Sequence, residues 1–131
     1  MKTFLSLFSW TFAFILTSFA DFPSPPLRVC LVSGSEEYHS DVSLTDFQAY
    51  LESRYNATCV LIKAIGFETL PGVDALDDCD VALFFTRRLR IEGESLDAVK
   101  KYCLSGKPIV ALRTASHGFQ NWLDFDKLIL G

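Results

Sequence analysis

Arg28-Val29-Cys30-Leu31-Val32-Ser33-Gly34-Ser35 is an apolar run closed by small turn residues, the pattern of a buried strand that ends in a tight bend. The run shows no polar alternation, so both of its faces need cover, as in the interior of a parallel sheet. Further along, Leu44, Phe47, Leu51 and Tyr55 recur at helical spacing, with Ser43 placed as an N-cap and Asp46 three residues later. Thr58 to Ala64 reads as a second strand, Asp80 to Phe85 as a third and Ile109 to Leu112 as a fourth. Gly66 to Asp78 is a connection containing Pro71 and Gly72, with one helical turn around Val73 to Leu76. Glu92 to Ser105 is the clearest helix: Leu96, Val99 and Cys103 form one stripe, and Ser105-Gly106-Lys107-Pro108 stops it. Phe119, Trp122, Phe125 and Ile129 predict a tail that is helical in part. Strands alternating with amphipathic helices predict an α/β fold with a mainly parallel sheet covered on both faces. Right-handed crossovers then make it a doubly wound three-layer sandwich.

Upstream of this pattern the chain has another character. Met1 to Ala20 carries one charge, Lys2, an apolar run from Phe4 to Leu16, and the small residues Ser18 and Ala20 at its end. That is the pattern of a cleavable secretory signal, and it predicts a secreted or periplasmic protein. Asp21 to Pro26 contains Pro23, Pro25 and Pro26, so residues 21–27 form an extended lead-in and the domain occupies 28–131. Every apolar run after Asp21 is broken within about eight residues, far short of the roughly 20 that a membrane span needs.

Removing the leader leaves 131 − 20 = 111 residues with 11 basic and 16 acidic side chains, a charge of −5. This length closes one core. The acidic balance argues against a nucleic-acid or anionic-membrane surface, because phosphate binding rests on Lys and Arg. Cys30, Cys59, Cys79 and Cys103 contain no Cys-x-x-Cys pair, so no structural zinc site is expected. Four cysteines in an exported chain allow three disulfide pairings. The apolar settings Val29-Cys30-Leu31 and Cys59-Val60 favour buried thiols instead.

In open α/β sheets, ligands bind beyond the carboxyl ends of the strands. After the first strand come Ser35, Glu36, Glu37, Tyr38 and His39; after the third, Arg87, Arg88 and Arg90; after the fourth, Arg113, Thr114, Ser116 and His117. Both histidines fall at this edge. Arg87 and Arg88 suit a carboxylate or polyol oxygens, unless they form a solvated turn or pair with Asp77, Asp78 and Asp80. His117, directly after a strand-end turn, is the candidate acid or base. Ser116 is its neighbour, but adjacent residues seldom face one another as a Ser–His pair requires. Tyr38 and His39 complete the candidate ligand-binding set. Glu36 and Glu37 are carboxylates on an exposed turn.

Several signals are absent: Gly-x-Gly-x-x-Gly, a P-loop, Gly-x-Ser-x-Gly and His-Glu-x-x-His. No cofactor or metal is therefore named. Asn56-Ala57-Thr58 matches a glycosylation sequon, which has meaning only in a eukaryote.

Arg28 to Gly34, Asp80 to Arg88, Pro108 to Phe119 and Trp122 to Gly131 together resemble the ThuA-like (trehalose utilisation) proteins, in particular exported bacterial members. The most specific part is Ala111-Leu-Arg-Thr-Ala-Ser-His-Gly-Phe-Gln-Asn-Trp-Leu-Asp-Phe-Asp126. That family is similar in fold to the class I glutamine amidotransferases, so the resemblance implies a flavodoxin-like layer. It also implies a carbohydrate ligand, a sugar, keto-sugar or glycoside, bound or transformed. In the amidotransferases a nucleophilic cysteine sits within Gly-x-Cys-x-Gly. The matching stretch here, Ala111 to Ala115, puts Arg113 at that position, and an arginine cannot attack an amide. A working glutaminase is not expected. The family's domains run on past the position of Gly131, and Leu128-Ile129-Leu130-Gly131 is an apolar ending, so a longer domain is expected. The alternative is a non-catalytic binding or assembly module of the same fold.

Overall fold

The computed structural model describes residues 24–131. The expected leader, Met1 to Ala20, lies outside the described residues, as does the start of the lead-in. Four strands, β1 (Leu27–Gly34), β2 (Ala57–Lys63), β3 (Val81–Thr86) and β4 (Ile109–Ala111), form one parallel sheet in the order β2-β1-β3-β4. β1 is interior, with Cys30 beside Val60 on one flank and Ala82 on the other. Its unbroken apolar pattern follows from this position. Val29 and Leu31 face one layer with Leu44, Cys59 and Leu83, whereas Cys30 and Val32 face the other with Ile62, Ala82 and Phe84.

Helix α1 (Ser40–Arg54) supplies Leu44 and Leu51 to the first layer. Helix α2 (Gly93–Leu104) covers the second with Leu96, Val99, Tyr102 and Cys103, aided by the 3₁₀ turn Val73–Asp78. The expected stripe on α2 is the buried one. The tail adds an aromatic cluster to that layer. Phe119 and Phe125 meet edge to face at 5.2 Å between centroids, and Phe84 lies 5.7 Å from Phe125. Only Phe125–Leu130 of the tail is helical, and it takes the wider π form.

The start of α1 differs from expectation. The helix begins at Ser40, ahead of Ser43, and the Ser43 hydroxyl donates to the His39 carbonyl within it. The reason is a buried serine network: the Ser35 N–H donates to Ser40 Oγ at 2.9 Å, and the Ser33 and Ser40 hydroxyls meet at 2.8 Å. His39, at φ +49°, swings the chain from the short turn Glu36–Tyr38 straight into the helix. A second difference is that Phe47 and Tyr55 of the predicted stripe stay exposed.

Two glycines mark close approaches. A Cβ on Gly34 would lie 2.7 Å from Leu89 Cδ1, and one on Gly118 would lie 2.5 Å from Thr86 Oγ1 and 2.8 Å from the Ala115 carbonyl oxygen. All four cysteines are buried free thiols, as the apolar settings predict. Cys30 and Cys79 donate to the successive carbonyls of Ala75 and Leu76. Burial pushes the Cys30 and Cys103 thiols up to about 12.

Pairing of Arg87, Arg88 and Arg90 with Asp77, Asp78 and Asp80 does not occur. β3 separates the two groups by six residues, about 20 Å of extended chain. Asp80 instead pairs with Arg28, and Asp77 with Lys101 at 2.7 Å.

Candidate functional site at the carboxyl edge of the sheet

The strand order sets the carboxyl ends of β2, β1 and β3 side by side. The serine network holds the turn after β1, and the Arg87 N–H donates to the Gly34 carbonyl at 2.9 Å, joining it to the turn after β3. The segment after β2 is pinned from across the edge. The Arg90 N–H donates to the Phe67 carbonyl at 2.6 Å, and its guanidinium sits 5.2 Å over the Phe67 ring while gripping Glu68. That grip holds the Glu68 carboxyl below its ordinary range.

Two adjoining clefts open there. The larger, about 420 Å³, is lined by Ser35, Glu36, His39, Asp41, Lys63 and Phe67 among others. The smaller, about 310 Å³, is lined by Ser35, Glu36, Glu37, Phe67, Arg87 and Arg88. Ser35, Glu36 and Phe67 belong to both. Phe67 is 42% exposed despite its guanidinium cover, so part of the ring is free. Ser35 is 2% exposed and its hydroxyl has no hydrogen-bond partner among the described residues. Taken together, the two clefts set Lys63, Arg87 and Arg88 against Glu36, Glu37 and Asp41, so their charges balance, with His39 beside Asp41 in the larger one.

The two arginines differ. Arg87 is committed: it pairs with Glu37 and lies 5.8 Å over the Tyr38 ring. Arg88 forms no ion pair among the described residues. Its backbone is left-handed, φ +53°, held by its N–H donating to the His117 carbonyl at 2.6 Å. A non-glycine residue in that region carries strain that its surroundings must sustain, and such residues gather at functional sites.

Arg113, Ser116 and His117 stand apart. All three are exposed beyond β4, and none lines either cleft. The Ser116 hydroxyl nevertheless meets His117 Nδ1 at 2.8 Å, so these adjacent side chains do face each other, against expectation. The pairing arises because Thr114, at φ +88°, throws the chain into the 3₁₀ turn Ala115–His117. Thr114 is the left-handed residue after β4, and its hydroxyl is committed to the Thr86 carbonyl at 3.1 Å. The edge therefore holds His39, Arg87 and Arg88 around the clefts; Tyr38 lines neither and meets them only through the Arg87 guanidinium over its ring, and the Ser116–His117 pair is tied to them through backbone alone.

Lys63 and Phe67 escaped the sequence reading. The signal was present: the carboxyl end of the second strand obeys the same rule as the other three. Compared with family models, with curated proteins and with solved structures, the chain finds no match in any of the three.

Proposed function

We propose that this chain is an exported, ThuA-like domain of the doubly wound, flavodoxin-like kind that binds or transforms a carbohydrate and has no glutaminase activity. The observation that carries the reading is Phe67, a partly free aromatic ring shared by two clefts whose remaining walls are hydroxyl, carboxylate and cationic groups. A sugar ring presents apolar C–H faces and polar hydroxyl edges, and a mixed wall of this kind meets both. The balanced charges suit a neutral polyol better than a strong anion. Arg88, left without a carboxylate partner, is the donor available for ligand oxygens.

The test is calorimetric titration of the purified protein with trehalose and with glucose. At least one should bind, and Phe67→Ala and Arg88→Ala should each weaken it by about tenfold, the loss of one stacking or charged hydrogen-bond contact. Binding that neither substitution changes, or no binding of either sugar, sinks the reading. For export, N-terminal sequencing of the protein recovered outside the cytoplasm should begin at Asp21; Met1 there overturns it.

A second reading, a non-catalytic module, draws on a specific observation. The Ser116–His117 pair has no carboxylate on the far imidazole nitrogen among the described residues, so it lacks the orienting third member of a triad. His117→Ala that abolishes sugar turnover supports the enzyme. Turnover absent from the native protein, with binding intact, supports the module.

A further inference from the structure

Ile65 to Thr69, with Phe67 at their middle, form a tight loop that has no foothold in the core. All five residues are exposed, between the buried Ile62 and Leu70. Within the loop the Ile65 N–H donates to the Thr69 carbonyl at 2.9 Å, and Gly66, at φ +61°, makes the turn. A segment with so few buried contacts belongs to the least stable part of a fold unless something outside it holds it. Here the holder is Arg90. Its neighbours Leu89 and Ile91 are both buried. Leu89 is fixed further, since its N–H donates to the Gly118 carbonyl at 2.8 Å and its carbonyl accepts from the Gln120 N–H at 2.7 Å. From this rigid post Arg90 reaches three separate points of the loop. Its N–H meets the Phe67 carbonyl, its guanidinium lies over the Phe67 ring, and its Nε and Nη2 converge on one Glu68 carboxylate oxygen at 3.1 and 2.5 Å.

We propose that Arg90 is the positioning residue of this site: it holds the loop in place and presents the uncovered face of the Phe67 ring to the ligand, without touching the ligand itself. The inference rests on the carbohydrate reading for the class of ligand alone. Arg90 and Glu68 line neither cleft, so whatever they do to a ligand passes through Phe67. A loop that is already ordered spares the ligand the cost of ordering it. The planar guanidinium can cover a ring and meet a carboxylate at once, whereas a lysine ammonium is a single point of charge.

Nuclear magnetic resonance and calorimetry on the purified protein test this together. In Arg90→Ala, which keeps the backbone N–H, the Phe67 ring signals should move towards those of a free phenylalanine. The Ile65 amide should exchange about tenfold faster, while the amide of Val99 in α2 stays as it is. The sugar bound by the native protein should bind about tenfold more weakly. The same substitution in a Phe67→Ala protein should cost nothing more, because the two residues act through one ring. Arg90→Lys should behave as Arg90→Ala does. Unchanged ring and Ile65 signals in Arg90→Ala overturn the proposal. So does full recovery by lysine, or an equal loss of affinity in the Phe67→Ala protein, which would put Arg90 on the ligand. If the native protein binds neither trehalose nor glucose, the carbohydrate reading falls, and the ring and Ile65 signals still decide the positioning role.

Discussion

At the residue scale, the carboxyl edge concentrates unusual backbone and unmatched polar groups. His39, Arg88 and Thr114 are the three non-glycine residues with positive φ among the described residues, and all three stand at this edge. The sequence marked these turns as polar and placed them correctly, but left-handed backbone was not legible in it. Nothing local requires φ +53° at Arg88; the bond from its N–H to the His117 carbonyl, 29 residues on, does. Ser35 Oγ and Thr86 Oγ1 are buried without partners among the described residues. Thr86 lies under Gly118 on the opposite face from α1, so its hydroxyl is an uncompensated desolvation. Thr86→Val, of the same shape, should therefore raise stability by about 1 kcal/mol in urea unfolding. Gly118→Ala should lower it by about 1–3 kcal/mol, because the new methyl meets a backbone carbonyl that cannot give way. Ser40→Ala strands the Ser35 N–H and the Ser33 hydroxyl in a buried turn, and about 2 kcal/mol of destabilisation is expected in the same assay.

At the scale of elements, the two helices show what a hydrophobic pattern does and does not reveal. The α2 stripe is continuous, and Leu96, Val99 and Cys103 are all buried under the sheet. Its position was readable because the periodicity and the Ser105-to-Pro108 stop agree. Val99→Ala should cost about 2–3 kcal/mol, seen as a lowered urea midpoint with an unchanged slope. In α1 the same periodicity located the helix, but of its stripe only Leu44 is fully buried, while Phe47 faces outward. Apolar spacing reports which residues share a helix face, not whether the molecule covers that face. The tail shows a third case: it was read as helical in part, and Phe125–Leu130 is helical, while the burial of Phe119 and Phe125 comes with edge-to-face packing on Phe84.

For the whole molecule, the parallel α/β layer was legible because the apolar strands and their order in the chain leave few alternatives. The site was legible in outline through the rule that ligands meet the carboxyl ends of strands. Its inner composition was not, since Lys63 is the last residue of β2 and Phe67 belongs to the irregular connection that follows it. The buried thiols give the molecule a defined response to alkali. Cys30 and Cys103 are held protonated by burial, with folded pKa values of about 12 against an ordinary 9.0. Their contribution to stability is fully present below pH 9 and is lost as pH rises towards 12. Between those limits each thiol withdraws up to about 1.4 kcal/mol per pH unit. Urea midpoints measured from pH 8 to 11 should fall accordingly, and Cys103→Ala should flatten the decline.

The central claim is that a carbohydrate occupies the paired clefts around Phe67. Its most direct test is an amide ¹⁵N–¹H titration of the protein with trehalose and with glucose, reading every backbone signal. The account predicts saturable shifts concentrated at Ser35, Glu36, Lys63, Phe67 and Arg88. Shifts confined to Arg113–His117, or no shifts with either sugar, would contradict it.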